Sequence, residues 1–353
     1  MAHDSATGLG EALYSPKDAK VDIIFVHGLG GHRVKTWKSR ANEDEPVEKF
    51  WPEDFLKTAC PTARILSFGY EATFQNFYPY TGPQNIPVGT TIDDHSASLF
   101  LAINNFHHST KTPPGRPLIF VTHSLGGLVV ANALSRPHTT SDADTSLVDS
   151  TIGIVFFGTP FEGSSKAKWG VRALKFLEVF GATSPANMHD LQERSQRLTL
   201  INDNFGKLIK ARDQSQTTLN IACLFEVRET YVKKALKWTS IGVIVPKDSA
   251  TLSGITPIPV EANHSGMCKF ATESRDGYKS VSGILSRWIK ALDATSAKRG
   301  AGIIHDGDMN FHGTVNNSGI VARDIDGYTP DAVRLTGSVN YYGSDYKPPQ
   351  QSP

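Results

Sequence analysis

Ser124 stands in the stretch Ile119-Phe120-Val121-Thr122-His123-Ser124-Leu125-Gly126-Gly127-Leu128. An apolar strand, a lone serine and a pair of glycines opening a helix is the pattern of a nucleophile elbow. There a sharp strand-to-helix turn lifts a hydroxyl above the carboxyl edge of a sheet. A serine hydroxyl is a weak nucleophile until a base takes its proton, and the base in turn needs an acid to orient it. The expected chain order is Ser, then Asp or Glu, then His. His264, in Val260-Glu261-Ala262-Asn263-His264-Ser265-Gly266, occupies a short loop after a strand and before a helix, where a base should hang over the serine. Of the other histidines, His107 and His108 read as part of a polar linker, His305 and His312 fall in the tail, and His123 should point away from the site. For the acid, Glu226 ends the strand 219–225; Asp248, in Val245-Pro246-Lys247-Asp248, is the alternative, and Glu229 a weaker one.

The developing oxyanion of an acyl transfer needs backbone N–H donors. His27-Gly28-Leu29-Gly30-Gly31 follows the first apolar strand, where such a loop is expected, so the amides of Leu29 and Leu125 are the candidate donors. Gly28, Gly30 and Gly126 are the small residues that let loop, strand and helix approach. Thr122 departs from the pattern, placing a β-branched residue where the elbow usually has glycine; it fits only against a small neighbour.

The elements that must position these residues are legible as alternating short apolar runs and longer amphipathic segments, the pattern of a mostly parallel α/β sheet flanked by helices. Strands are expected at 21–26, 63–70, 117–122, 151–157, 219–225 and 257–261, and helices at 91–106, 126–135, 187–211 and 275–292. Residues 1–20 read as a polar lead-in, 21–295 as the catalytic domain, and 296–353 as a Gly/Asn-rich tail of low order. The N-terminal residues lack the basic start and apolar core of a secretory leader. No apolar run approaches the ~18 residues of a spanning helix. The net charge of +1 gives no electrostatic footprint for nucleic acid. Cys60, Cys223 and Cys268 form no CxxC pair and suit a reducing compartment. Scattered His and Asp residues show no metal-ligand spacing, so neither metal nor organic cofactor is expected. A cytoplasmic protein is the expectation.

Taken in order, VDIIFVHGLGG, FWPEDFL, ARILSFGYEA, THSLGGLVV, FFGTPFEGSS, FEV, IVPKDSA and NHSGMCKF resemble the SERAC-type and PGAP-like serine esterases. More narrowly, they resemble the α/β-hydrolase modules of fungal NOD-like receptors and their stand-alone SesB-like relatives. The resemblance spans roughly residues 20–292 and implies an α/β-hydrolase fold acting on a carboxylic ester, a lipid among the candidates. It implies Ser124 as nucleophile, His264 as base, Glu226 as acid and Leu29 in the oxyanion loop. The segment 227–245 is longer than the family pattern and could displace Glu226 or add a lid.

Two further stretches bear on substrate. Trp169, Ala173, Leu177 and Phe180, widened by Leu174 and Phe176, recur at helical spacing and suit a cap helix or a lid. Residues 231–238, YVKKALKW, mix three lysines with aromatics and read as a basic surface helix, suited to peripheral contact with an anionic membrane. In the tail, 309–319 and 333–343 match at an offset of 24 residues: Gly313 with Gly337, Val315 with Val339, Asn316 with Asn340, Gly319 with Gly343. The match resembles the amyloid-signalling motifs of SesB-like proteins. It implies self-assembly and a NOD-like receptor bearing a matching motif as partner, with a role in programmed cell death or heterokaryon-incompatibility-type self/non-self recognition.

Overall fold

The computed structural model describes residues 7–41, 43, 45–72, 80–81, 87–88, 91–136, 142–161, 188–234, 237–301, 315–316 and 319–320. Residues up to Ile289 form one compact unit. Its centre is a six-stranded sheet in the order β10-β7-β6-β5-β1-β2. The strands are β1 (Val21–Val26), β2 (Ala63–Phe68), β5 (Leu118–His123), β6 (Thr151–Phe157), β7 (Asn220–Glu226) and β10 (Ile258–Val260). Every neighbouring pair is parallel. β1, β2 and β5 are buried along their whole length. Burial on both faces is why these strands read as near-continuous apolar runs and not as alternating ones. This strand order, with a serine elbow after β5, is the α/β-hydrolase fold.

Short helices α1 (Trp51–Asp54) and α2 (Leu56–Ala59) precede β2, and the two-residue strands β3 (Tyr80–Thr81) and β4 (Pro87–Val88) pair antiparallel. The longer helices are α3 (Ile92–Ser109), α4 (Leu125–Ser135), α5 (Asp142–Ser150), α6 (Met188–Gln214) and α7 (Asp276–Ala301). Helix α3 starts on a capping box, Thr91 and Asp94 bonding each other's backbone amides. Ten of the eleven residues of α4 are buried, Leu125 through Leu134, and Leu128, Val129 and Val130 join Ile24, Val26 and Phe120 in the core on one face of the sheet. On the other face Phe25 meets Trp37 and Trp51 edge-on, at 5.0 and 5.1 Å between ring centroids. Trp288 of α7 lies over Gly153, where a Cβ would come within 2.6 Å of the indole.

The six strands and four helices expected from the sequence are present, with ends shifted by at most three residues except at the last helix, which ends nine residues later. Four readings need correction. Residues 7–20 are no polar lead-in: Gly8 and Tyr14 bridge Gly69 and Ile65 beside β2, with Leu9 and Leu13 buried. His107 is not in a linker but in the last turn of α3, where Nε2 lies 2.7 Å from the buried Asp22 carboxylate. Arg64 also binds that carboxylate, so Asp22 is fixed as a charge-assisted knot at the sheet's N-terminal end. The basic stretch is no helix: β8 (Thr230–Lys234) and β9 (Lys237–Gly242) form an antiparallel hairpin separate from the main sheet. Finally, α7 runs past residue 295 to Ala301.

The second unit, Lys290–Pro353, holds the end of α7 and a small antiparallel pair, β11 (Val315–Asn316) with β12 (Gly319–Ile320). No helix among the described residues is long and apolar enough to cross a membrane. The matching stretch 333–343 lies outside the described residues, as do Trp169, Ala173, Leu174, Phe176, Leu177 and Phe180.

Candidate active site

Ser124 adopts φ 56° and ψ −132°, a conformation that costs a non-glycine residue about 1–3 kcal/mol unless its surroundings hold it. They do: its amide donates to Phe157 O of β6 at 2.8 Å, and its carbonyl accepts from Gly127 N at 3.1 Å. Chain direction reverses here because β5 ends and α4 begins without a spacer. Gly126 would drive a Cβ to 2.3 Å from His27 O, and Gly127 one to 2.1 Å from Thr159 Oγ1. A Cβ on Gly28 would fall 2.6 Å from Ser124 Cβ. The small residues the elbow needs therefore come from the helix and from the facing loop. Thr122 is accommodated on the strand side, fully buried, with its hydroxyl donating to Val155 O at 3.1 Å. Ser124 Oγ is buried and makes no hydrogen bond among the described residues.

His264 and Glu226 come together in the interior. Nδ1 of His264 lies 2.7 Å from Glu226 Oε2, both side chains almost wholly buried. The other carboxylate oxygen, Oε1, accepts from the amides of Ile244 and Val245 at 2.6 and 2.9 Å. Three donors on one buried carboxylate offset the loss of its hydration, and they fix which edge faces the imidazole. The long segment 227–245 does not displace Glu226. It makes the β8–β9 hairpin and returns to supply the two amides. Asp248 sits exposed in the turn beyond, and Glu229 is exposed, accepting from Ser240 Oγ at 2.6 Å.

His123 does not point away from the site. Its ring is 4.9 Å from the His264 ring, and Nε2 donates to His264 O at 2.9 Å. Burial, then the neighbouring His264, lowers its pKa well below the usual histidine value, so the ring is neutral and Nε2 carries the proton the carbonyl accepts. The contrary expectation considers only the elbow, where neighbours of Ser124 diverge, and not the His264 loop folding back over it.

The His27–Gly31 loop is locked from its first residue. His27 Nδ1 donates to Gly28 O at 2.9 Å, Tyr70 N donates to His27 Nε2 at 3.4 Å, and Tyr70 OH donates to His27 O at 2.7 Å. The two rings stack at 4.5 Å. This network requires a neutral imidazole, and desolvation indeed lowers the His27 pKa to about 4. Gly30 takes φ 62° and its amide donates to Ala72 O; Gly31 N donates to Gly28 O. Among the described residues no backbone hydrogen bond uses the Leu29 amide. Leu125 is the first residue of α4, where amides have no partner within the helix.

The residues that join these loops carry no local signal in the sequence. Lys269 donates from Nζ to Thr36 O at 2.8 Å, to Lys38 O at 3.3 Å and to Lys35 O. Trp51 Nε1 donates to Cys268 O at 2.9 Å, and Cys268 Sγ to Thr36 O at 3.3 Å. The loop that carries His264 is thus stapled to the segment that follows the glycine loop. Gly158, at φ 54°, lies under the His264 ring, where a Cβ would sit 3.0 Å from His264 Cε1. A glycine directly after a strand was the available signal for that contact.

No family model matches the chain. It is similar to Protein SERAC1 of Bos taurus, 27% identical over 277 residues, covering 76% of this chain and 39% of the relative. It is similar to Protein SERAC1 of Homo sapiens, 28% identical over 260 residues, covering 71% of this chain and 36% of the relative. The chain thus spans less than two fifths of the length of these curated relatives. Among solved structures, Bacillus licheniformis lipase BlEst2 aligns with a TM-score of 0.39 at 15% identity, covering 76% of this chain and 91% of that one. The esterase domain of a Rhodothermus marinus protein aligns with a TM-score of 0.40 at 12% identity, covering 79% and 91%.

Proposed function

We propose that this chain is a serine hydrolase of carboxylic esters, with a lipid ester as its substrate class. The reading is carried by the buried Glu226–His264 contact beside a strained serine elbow. Ser124 Oγ attacks the ester carbonyl carbon while His264 Nε2 takes its proton. Glu226, held by the Ile244 and Val245 amides, keeps the Nδ1 proton toward itself and stabilises the imidazolium. The amides of Leu29 and Leu125 receive the oxyanion. Collapse of the tetrahedral intermediate breaks the carbon–oxygen bond, and the departing alkoxide takes the proton from His264. Water then gives a proton to His264 and attacks the acyl-enzyme. The carboxylic acid leaves, and the proton returns to Ser124. Every group used belongs to the chain, substrate or water.

The test is hydrolysis of p-nitrophenyl esters of graded acyl length. Ser124→Ala and His264→Ala should each lose at least about 10⁴-fold in kcat while melting as the wild type does. Equal turnover by wild type and both variants would remove the reading.

A second role is supported by the offset match of 309–319 with 333–343 in the tail. In this reading the chain is an effector recruited by templated assembly with a NOD-like receptor that bears a matching motif, acting in cell death. Removal of residues 300–353 should leave ester hydrolysis intact and abolish fibril formation. A signalling output that survives Ser124→Ala would instead make the hydrolase unit a scaffold, and one that survives the truncation would favour a housekeeping lipid hydrolase.

A further inference from the structure

Trp238 is 69% exposed and Tyr231 55% exposed, the two aromatic side chains among the large exposed hydrophobics of the described residues. Both belong to the β8–β9 hairpin. Its register pairs Tyr231 with Ser240 and Lys233 with Trp238, and residues two apart on a strand share a face, so the two aromatics lie on one face. Among the described residues the hairpin pairs with no third strand. A lone two-stranded hairpin is marginal in water, and a bare Trp on it adds to the cost. Residues 230–242 contain Lys233, Lys234 and Lys237 and no acidic residue, a local charge of +3 in a chain whose total is +1.

The place of the hairpin matters as much as its composition. It leaves the chain four residues after Glu226 and rejoins it just before Ile244 and Val245, whose amides hold the Glu226 carboxylate. The hairpin therefore rises from the same carboxyl edge of the sheet that carries Ser124 and His264.

We propose that the β8–β9 hairpin is a docking surface for an anionic lipid bilayer, with Tyr231 and Trp238 entering the interface, Lys233 on the same face meeting acidic headgroups, and Lys234 and Lys237, paired on the other face, adding to the attraction. Aromatic side chains settle at the headgroup level of bilayers, and basic residues are attracted by the potential of anionic leaflets. Solvation alone would account for the lysines but not for two aromatics on the same unpaired face. The link to catalysis rests on the esterase reading, because docking here would set the sheet edge bearing Ser124 against a lipid substrate. The docking itself does not depend on it.

The experiment is co-sedimentation of the full chain with phosphatidylcholine vesicles, with and without phosphatidylserine, alongside hydrolysis of a soluble ester. The wild type should bind only the phosphatidylserine vesicles and lose binding as salt rises. Lys233→Gln with Lys234→Gln and Lys237→Gln should weaken partition by at least about fivefold, since each basic residue near such a surface counts for roughly fivefold and Lys233 shares the aromatic face. Tyr231→Ser with Trp238→Ser should weaken it at least about tenfold. Both variants should keep soluble-ester turnover and melting temperature. Wild type that turns over soluble ester but does not sediment with anionic vesicles overturns the proposal. So does equal binding by wild type and the lysine variant, or capture of RNA without capture of vesicles. Vesicle binding without ester turnover would leave the docking surface standing and refute the esterase reading alone.

Discussion

Replacing Glu226 by Gln changes one atom and should disable the base through its tautomer. The amides of Ile244 and Val245 both donate to Oε1, at 2.6 and 2.9 Å, so a Gln carbonyl oxygen must take that position. The reverse orientation would turn an NH2 group toward two N–H donors and leave both unpaired in the interior, at about 1–3 kcal/mol each. Even the lower total, about 2 kcal/mol, favours the first orientation by roughly thirtyfold. The Gln NH2 then faces His264 Nδ1 at the position now held by Oε2, 2.7 Å away. Nδ1 must accept, Nε2 must carry the proton, and Nε2 can no longer take one from Ser124. An acid-to-amide change of this kind costs about 10⁴-fold in kcat where the base is set by one carboxylate. The assay is steady-state ester hydrolysis with nitrogen-15 shifts of His264 recorded on the same samples. Glu226→Gln should lose about 10⁴-fold, with the proton moved from Nδ1 to Nε2, while Asp248→Asn stays near wild type. Turnover within tenfold of wild type in Glu226→Gln, or collapse in Asp248→Asn, would refute the reasoning.

Three further outcomes follow from the same geometry. His123→Phe keeps an aromatic ring but removes the donor to His264 O; kcat should fall about 5- to 100-fold with KM unchanged, and His123→Gln should recover most of it. Loss of melting temperature in step with kcat, without rescue by Gln, would make His123 merely a packing residue. Stability should fall with acid: His27 is held at about 4 against an ordinary value near 6.5, so the unfolded chain binds the proton first as pH drops. The stability present above pH ~6.5 is lost progressively down to the folded value, about 3 kcal/mol from His27, and denaturant melts of His27→Gln should show a flatter profile. Cys60, Cys223 and Cys268 are buried with thiol pKa values raised to about 11 by desolvation, so Ellman's reagent should find no fast thiol until the chain unfolds.

The sheet was readable because β1, β2 and β5 are buried along their whole length and therefore largely apolar, and because turn residues follow the strands. The turn at Ser124 after β5 and the approach of His264 to Glu226 were readable through strand ends, chain order and the family resemblance together. Long-range closure was not readable. His123 to His264 spans 141 residues, and Lys269 to Thr36 spans 233. Nothing local to either end announces such pairs. The hairpin was misread because Tyr-Val-Lys-Lys-Ala-Leu-Lys-Trp satisfies helical spacing as well as strand alternation, and its antiparallel partner decides between them. Residues 7–20 looked polar because only Leu9 and Leu13 carry their burial, the rest of the attachment being backbone hydrogen bonds.

The central claim is that Ser124 is an activated nucleophile, and labelling with a fluorophosphonate probe measures that without knowledge of the substrate. The folded wild type should be labelled at Ser124. Ser124→Ala should take no label, and His264→Ala should take it at least about 10³-fold more slowly. Absence of labelling in folded wild type, with and without anionic vesicles, or equal labelling in Ser124→Ala, would contradict the account.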